Sequence, residues 1–258
     1  MIRKTDLTEL RVYNAVCTHD GLRAAQIAKL IDTDRTTVNR HLYSSPLLHE
    51  LCWQDNDSRW HGLIRQERPH SGLGEYAGWY GTADDFLRQD EGEWLARLQD
   101  GCVNIGRNLN DTRGLIHSFK DCRAVMRRLF SDLALFLPPE RFAGWELCFE
   151  FRLKKSRHIR IYADVLLVTE ERVFSLEFKM KDDPDPAEVS QAAKYIPFLD
   201  VIFGPRYEVI PVLVLTAAAD RFGFEPLADS GGAEVAVCSG DMLFNALDCY
   251  MGFIDAQA

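Results

Sequence analysis

Seven cysteines, an odd number with no C-x-x-C pair and no metal-ligand spacing, exclude a disulfide framework and a structural zinc site. Reduced thiols in a cytoplasmic compartment are the expectation. The chain has no apolar run near ~18 residues and no charged leader followed by an apolar stretch, so neither membrane insertion nor secretion is expected. Heptads, long repeats and low-complexity tails are missing, which argues against a coiled coil or a repeat array. A basic excess is missing as well: 30 Lys plus Arg stand against 39 Asp plus Glu, for a formal net charge of −9. That balance opposes nonspecific adhesion to nucleic acid, so any such binding has to rest on local basic patches and bound metal. What is left is a chain of 258 residues, 47% hydrophobic and 27% charged, ordinary for a soluble globular protein with room for two domains.

The densest pattern lies in the second half. Trp145, Leu147, Phe149 and Phe151 alternate with Glu146, Cys148 and Glu150, the period-two signature of a half-buried strand. A polar turn at Lys154-Lys155-Ser156 leads to residues 159–168, rich in Ile, Val, Leu and Tyr, with one acid, Asp164, inside them. A second turn at Thr169-Glu170-Glu171-Arg172 precedes a third strand, residues 173–180. An antiparallel meander is predicted. On its last strand Ser175, Glu177 and Lys179 point one way, and Phe174, Leu176, Phe178 and Met180 the other. If Asp164 lies on the face of Glu177 and Lys179, two carboxylates meet beside one ammonium, a group suited to a hard divalent cation such as magnesium. The same three residues also suit a partly exposed ion pair of about 0 to 1 kcal/mol, so the motif needs its context.

That context continues directly. Asp185-Pro186-Ala187-Glu188 is a capping box with proline at the first helical position, so a helix follows the third strand. Glu188, Gln191 and Tyr195 share one of its faces, and Pro197 ends or kinks it. Residues 209–215 predict a buried strand, with Pro211 at its start or on an edge. Residues 234–238 predict a shorter strand, and Asp241 is expected to cap a final helix carrying Met242, Leu243, Leu247 and Met251.

Asp164, Glu177-Phe178-Lys179 and Gln191-x-x-x-Tyr195, in that order, resemble the PD-(D/E)XK nuclease superfamily and its RecB-type exonuclease branch over residues 110–216. The resemblance implies a restriction-endonuclease-like α/β fold, a mixed sheet flanked by helices. It implies that Asp164, Glu177 and the carbonyl of Phe178 bind Mg2+, with Mn2+ as a substitute, that Lys179 serves catalysis, and that Gln191 and Tyr195 contact DNA or brace the site. The branch often adds a His four positions after a Gly on an upstream helix; here His117 follows Gly114 by three. His117 is thus both a candidate ligand and a candidate member of a solvated face, opposite an apolar stripe of Leu115, Phe119, Cys122, Val125 or Met126, and Leu129.

Three short helices are predicted at the front: one carrying Leu7, Leu10, Tyr13 and Cys17, one at residues 24–30 and one at residues 36–42. A hairpin follows, from residues 51–53 to residues 59–61, and the whole resembles a winged helix-turn-helix. That resemblance implies a third helix in the major groove and a wing on the backbone. Arg35, Thr36, Thr37, Asn39, Arg40 and His41 are its candidate contacts, with Arg59 on the wing. Nine Lys or Arg against eight Asp or Glu in residues 1–65 is not a basic footprint, so a dimerisation or protein-docking role stands beside DNA binding. A more local patch, Arg152, Lys154, Lys155, Arg157 and Arg160, is placed to grip phosphates next to the metal or to solvate a hairpin tip.

Between the halves, residues 67–82 hold Pro69, Gly72, Gly74, Gly78 and Gly81 and predict a linker, though Tyr76, Trp79 and Tyr80 suggest packing onto a neighbour. Helix starts are predicted at Thr82 and Asp90, with Phe86, Leu87, Trp94, Leu95 and Leu98 as anchors. The organisation expected is a winged helix over residues 1–66, a linker with short helices over 67–108 and a nuclease-like domain over 109–258. The function expected is metal-dependent phosphodiester hydrolysis, of DNA and in defence or repair. The rivals are a non-catalytic DNA-binding regulator or adaptor and a sequence-specific restriction-type endonuclease.

Overall fold

The structure is a computed structural model. It describes residues 7–19, 21–62, 72–107, 112–155, 160–204, 206–227 and 233–254. The front of the chain forms α1 (Leu7–Thr18), α2 (Ala24–Leu30) and α3 (Arg35–Ser44), close to the predicted spans. Asp34 starts α3 by accepting from the Thr37 N–H at 2.9 Å. A fourth helix, α4 (Pro46–Leu51), was not anticipated, although Ser45 caps it and Pro46 opens it, both ordinary start signals. The hairpin of β1 (Cys52–Gln54) and β2 (Trp60–Gly62) pairs Trp53 with His61. Its turn is held by the Asp55 carboxylate, which accepts from the N–H groups of Asp57 and Arg59.

Residues 79–82, read from sequence as part of a linker, are instead β3 (Trp79–Thr82), the edge strand of a seven-stranded sheet. The aromatic residues explain the difference. Trp79 is fully buried, within 5.8 Å of the rings of both Phe86 and Phe149, which ties the segment to the core. Next come α5 (Ala83–Arg88) and α6 (Glu91–Asn104), capped by Thr82 and Asp90 as predicted, and the long α7 (Thr112–Phe136). The meander follows as β4 (Glu146–Lys155), β5 (Arg160–Val168) and β6 (Arg172–Lys179), antiparallel throughout. Helices α8 (Pro186–Ala193) and α9 (Ile196–Phe203) cross over to β7 (Glu208–Leu215), which lies parallel to β6. Strands β8 (Phe222–Pro226) and β9 (Glu234–Ser239) and helix α10 (Leu243–Met251) complete the chain. The strand order is β3-β4-β5-β6-β7-β9-β8, a mixed sheet with helices on both faces.

Two local expectations are corrected here. Pro211 lies on an interior strand, tolerated because pairing of β7 with β9 begins only at Val212. Asp241 does not cap α10; it accepts from the Asp220 N–H at 3.1 Å, and a short 3-10 turn, Gly240–Met242, leads into the helix.

Packing divides by face. One hydrophobic cluster joins α5, α6, α7 and α10 to Leu147, Phe149, Val165, Leu167, Phe174 and Leu176. Another runs without a break from Val12, Val38 and Leu48 of the front helices to Cys148, Phe151, Ala163 and Leu166 on the opposite sheet face. The front helices therefore share a core with the sheet. Phe151 departs from the predicted alternation, which put it with Leu147 and Phe149. The backbone at Glu150 is left-handed, φ 53°, and side-chain alternation inverts there. On β5 the same inversion occurs at Asp164, between Ala163 and Val165. Pairing of β5 with β6 ends at Val165 opposite Leu176, so Asp164 stands where the two strands part.

Candidate functional site

The parting of β5 and β6 opens a cavity of about 650 Å3, roofed by α8. Asp164, Glu177, Lys179, Gln191 and Tyr195 all line it, so the structure gathers the five residues that the sequence pattern singled out. Asp164 reaches across the gap and accepts from the Phe178 N–H at 2.9 Å, doing the work of the missing strand carbonyl. Glu177 is 1% exposed. Its Oε1 accepts from Lys179 Nζ at 2.8 Å and from Gln191 Nε2 at 2.5 Å, and Gln191 in turn reaches the Tyr195 hydroxyl at 3.2 Å. The other carboxylate oxygen, Oε2, is buried with no hydrogen-bond partner.

Local sequence explains the aim of these side chains. The Asp185 capping box with Pro186 starts α8 where predicted. The break before Pro197 leaves Tyr195 between α8 and α9, at the cavity wall. Glu188, expected on the same face, is tied to Lys181 at 2.8 Å instead.

A third acid lies beneath the cavity. Glu150, whose side chain is 5% exposed, faces Arg107 Nε at 2.8 Å without the alignment of a hydrogen bond. Burial, with Glu177 nearby, pushes the Glu150 carboxyl up to about 7 against the pull of Arg107. Burial and the Asp164 charge push Glu177 up to about 7. Asp164 rises to about 6, through burial and Glu150, although the Phe178 N–H, Lys179 and Arg107 all oppose the shift. Burial works against the Lys179 ammonium, but its bond to Glu177 wins and its pKa is raised.

These shifts predict the acid response of the metal-free protein. Each carboxyl holds its proton more tightly folded than unfolded, where values lie near 4. The stability this supplies is fully present below about pH 4 and is lost as pH rises through 6 to 7. In EDTA, the melting temperature is expected to be higher at about pH 5.5 than at about pH 8. A thermal scan showing the reverse order contradicts this electrostatic picture of the site.

The donor set fits a hard divalent cation. Asp164 and the free Oε2 of Glu177 are oxygen donors at one cavity. The backbone supplies a third. N–H and C=O of one strand residue project to the same side; the Phe178 N–H points towards β5, and the Lys179 carbonyl points the other way, to the Thr216 N–H at 2.8 Å. The Phe178 carbonyl therefore faces the gap. Among the described residues no group of three or more His, Cys, Asp or Glu side chains is arranged to hold a metal, so these donors are two carboxylates and a carbonyl.

Other expected residues are placed elsewhere. His117 is exposed on α7 and does not line the cavity; the inward stripe of that helix is Phe119, Cys122, Met126, Leu129 and Leu133. Arg152 is occupied internally, donating to the Ile105 carbonyl at 2.9 Å over the Tyr76 ring, and so is not a loose phosphate grip. The side chains of Lys154, Lys155 and Arg160, and all of Arg157, lie outside the described residues. On α3, Arg35, Thr36 and Arg40 are exposed, Thr37 and Asn39 partly so, and Arg59 is exposed in the hairpin. The hydroxyl of Thr37 is used by the Asp34 cap.

Sequence reading missed Arg107, Tyr162, Ser190 and Lys194, which also line the cavity. Arg107 follows a helix end and carries no motif. Glu150 stood in the sequence as a polar position of an alternating strand, yet an acid inside an apolar strand was a usable signal. No known protein-family model matches the chain, and no curated protein is similar to it. Among solved structures the chain is similar to the crystal structure of protein VC1899 from Vibrio cholerae, with 12% identity, a TM-score of 0.28, and coverage of 98% of this chain and 53% of that one. The chain thus spans about half the length of that protein, and the chemistry of the site rests on its own residues.

Proposed function

We propose that this chain is a Mg2+-dependent nuclease of the PD-(D/E)XK kind, hydrolysing phosphodiester bonds with DNA as the expected substrate. The observation that carries the reading is the single cavity holding Asp164, Glu177 and Lys179 beside the Phe178 backbone, with Gln191 and Tyr195 bracing Glu177. The order of the sheet, an antiparallel meander followed by a parallel crossover strand, agrees with a restriction-endonuclease-like core. Asp164, Glu177 and the Phe178 carbonyl are the proposed ligands. A divalent cation held by these groups would supply polarisation of the phosphodiester and a lowered pKa for a bound water.

The remaining work falls to side chains. Lys179, half-buried and held by Glu177, orients the attacking water and offsets charge that builds on the phosphate. The Gln191 amide fixes Glu177 in one rotamer and leaves Oε2 free. The front helices and hairpin are read as a winged helix that positions the enzyme on DNA, supported by the exposed Arg35, Thr36 and Arg40 of α3 and by Arg59. Dimer formation or protein docking through the same unit is the competing role.

The test is direct. Purified protein is incubated with circular and linear, single- and double-stranded DNA and with RNA, in Mg2+, Mn2+ or EDTA. Cleavage that needs the cation is expected. Calorimetric titration of Mg2+ is expected to show a site that Asp164→Ala abolishes; no cation binding even with DNA present, together with no cleavage, favours a non-catalytic DNA-binding protein. Digestion of linear but not circular DNA separates an end-dependent enzyme from a restriction-type endonuclease.

A further inference from the structure

Arg107 is positioned for more than a structural ion pair. Its guanidinium lies over the Tyr162 ring, 4.7 Å from the centroid, and its Nε faces buried Glu150 at 2.8 Å. It lines the same cavity as Asp164 and Lys179. Its two terminal nitrogens have no partner among the described residues, and its side chain remains 30% exposed. A guanidinium clamped from below on one nitrogen and stacked on an aromatic face has lost most of its rotamer freedom before any ligand arrives. What it offers to the cavity is a planar pair of N–H donors, the geometry that takes two oxygens of a phosphate at once.

The clamp is costly, which argues that it has a use. Glu150 adopts a left-handed backbone conformation that non-glycine residues seldom take, and this places its carboxylate under Arg107. A simple structural ion pair gains little from such an arrangement when its carboxylate is buried beside Asp164 and Glu177. The same acids explain the use of a fixed cation there: among the described residues, the positive side chains lining the cavity besides Arg107 are Lys179 and Lys194, against Asp164 and Glu177 on its wall and Glu150 beneath.

We propose that Arg107, positioned by Glu150 and Tyr162, is a substrate-binding residue that grips a phosphate of the nucleic acid through its terminal nitrogens. This rests on the reading of the cavity as a phosphodiester site. Glu150 is a positioning residue in this arrangement and Arg107 the contact.

The test measures binding in EDTA, so that it does not depend on turnover. Affinity of the full chain for fluorescent single- and double-stranded oligonucleotides is followed by anisotropy over a range of salt. Arg107→Gln is expected to weaken binding about tenfold or more, because a charged hydrogen-bonded contact is lost. It is also expected to reduce the slope of log K against log salt by about 0.9 for duplex or 0.7 for single strands. A role confined to folding does not move that slope. Arg107→Lys, which keeps the charge facing Glu150, is expected to keep the slope yet lose affinity and raise KM more than it lowers kcat. It also serves as the readable variant if Arg107→Gln fails to fold.

Oligonucleotides with a 5′-phosphate and with a 5′-hydroxyl identify the phosphate. An Arg107 effect that vanishes with the hydroxyl end assigns the contact to a terminal monoester, and an equal effect assigns it to an internal diester; both support the proposal. Unchanged affinity and slope in both variants overturn it, as does a wild-type chain that binds no oligonucleotide. If wild type cleaves and Arg107→Gln binds as wild type does, this proposal fails while the nuclease reading stands. If Arg107→Gln loses binding but no protein cleaves in Mg2+, the nuclease reading fails alone.

Discussion

Lys179→Ala is expected to lower Mg2+-dependent cleavage by about 100-fold or more, with most of the loss in kcat. The reason lies in what Lys179 touches. Its ammonium sits 2.8 Å from Glu177 Oε1 at the cavity wall, so in the proposed mechanism it acts on the reacting phosphate and water rather than on remote parts of the substrate. Removing it leaves the Gln191 bond to Glu177 in place, so the cation site survives and oligonucleotide affinity changes little. Asp164→Ala should differ in kind. It deletes a proposed ligand and the partner of the Phe178 N–H together, and so is expected to lose both cleavage and cation binding. Single-turnover cleavage beside calorimetric cation binding distinguishes the two variants. Undiminished cleavage by purified Lys179→Ala overturns the proposed mechanism.

The largest expected effect on stability is at the close approach of α6 to the segment before β3. A Cβ added at Gly101 on α6 lands 1.8 Å from the backbone oxygen of Gly78, just before β3. No rotamer change relieves a clash with backbone, so helix and sheet must separate locally. Gly101→Ala is expected to destabilise the protein by about 3 kcal/mol, lowering the melting temperature by on the order of 10 °C. The neighbourhood leaves little room to adjust: a Cβ at Gly78 meets Cys102 and Leu98 of the same helix at 2.8 and 2.9 Å. Thermal melting of Gly101→Ala beside Gly72→Ala, whose Cβ meets nothing within 4 Å, measures the difference. Equal melting temperatures contradict the close approach.

Much of this organisation was legible in local patterns. Short-range rules located the β4-β5-β6 meander, because strand periodicity and turn residues act over a few positions. They also located α8, whose start is written in Asp185, Pro186 and Glu188, and the caps of α5 and α6. The linker reading failed at β3 for a physical reason. Gly78 and Gly81 punctuate like a loop, but the stability of an edge strand comes from its partner β4 and from Trp79 buried against distant rings. Phe151 was assigned to the wrong face because alternation holds only while the backbone stays extended, and Glu150 does not stay extended.

The residue pattern alone singled out the candidate groups that share one cavity: Asp164 within an apolar strand, Glu177 and Lys179 two apart on one strand face, and Gln191 and Tyr195 four apart around a helix end. Those relations are set by the repeat of the backbone, so they hold wherever the elements finally lie. Only the tertiary structure decided that β5 and β6 part at Asp164, that Glu177 keeps one buried oxygen free, that His117 stays outside, and that Arg107 and Glu150 enter from segments with no motif. Strand divergence and the approach of an arginine 43 positions before its glutamate depend on how whole layers pack, and burial together with neighbouring carboxylates turns Glu150 and Glu177 from ordinary surface charges into groups with raised pKa values.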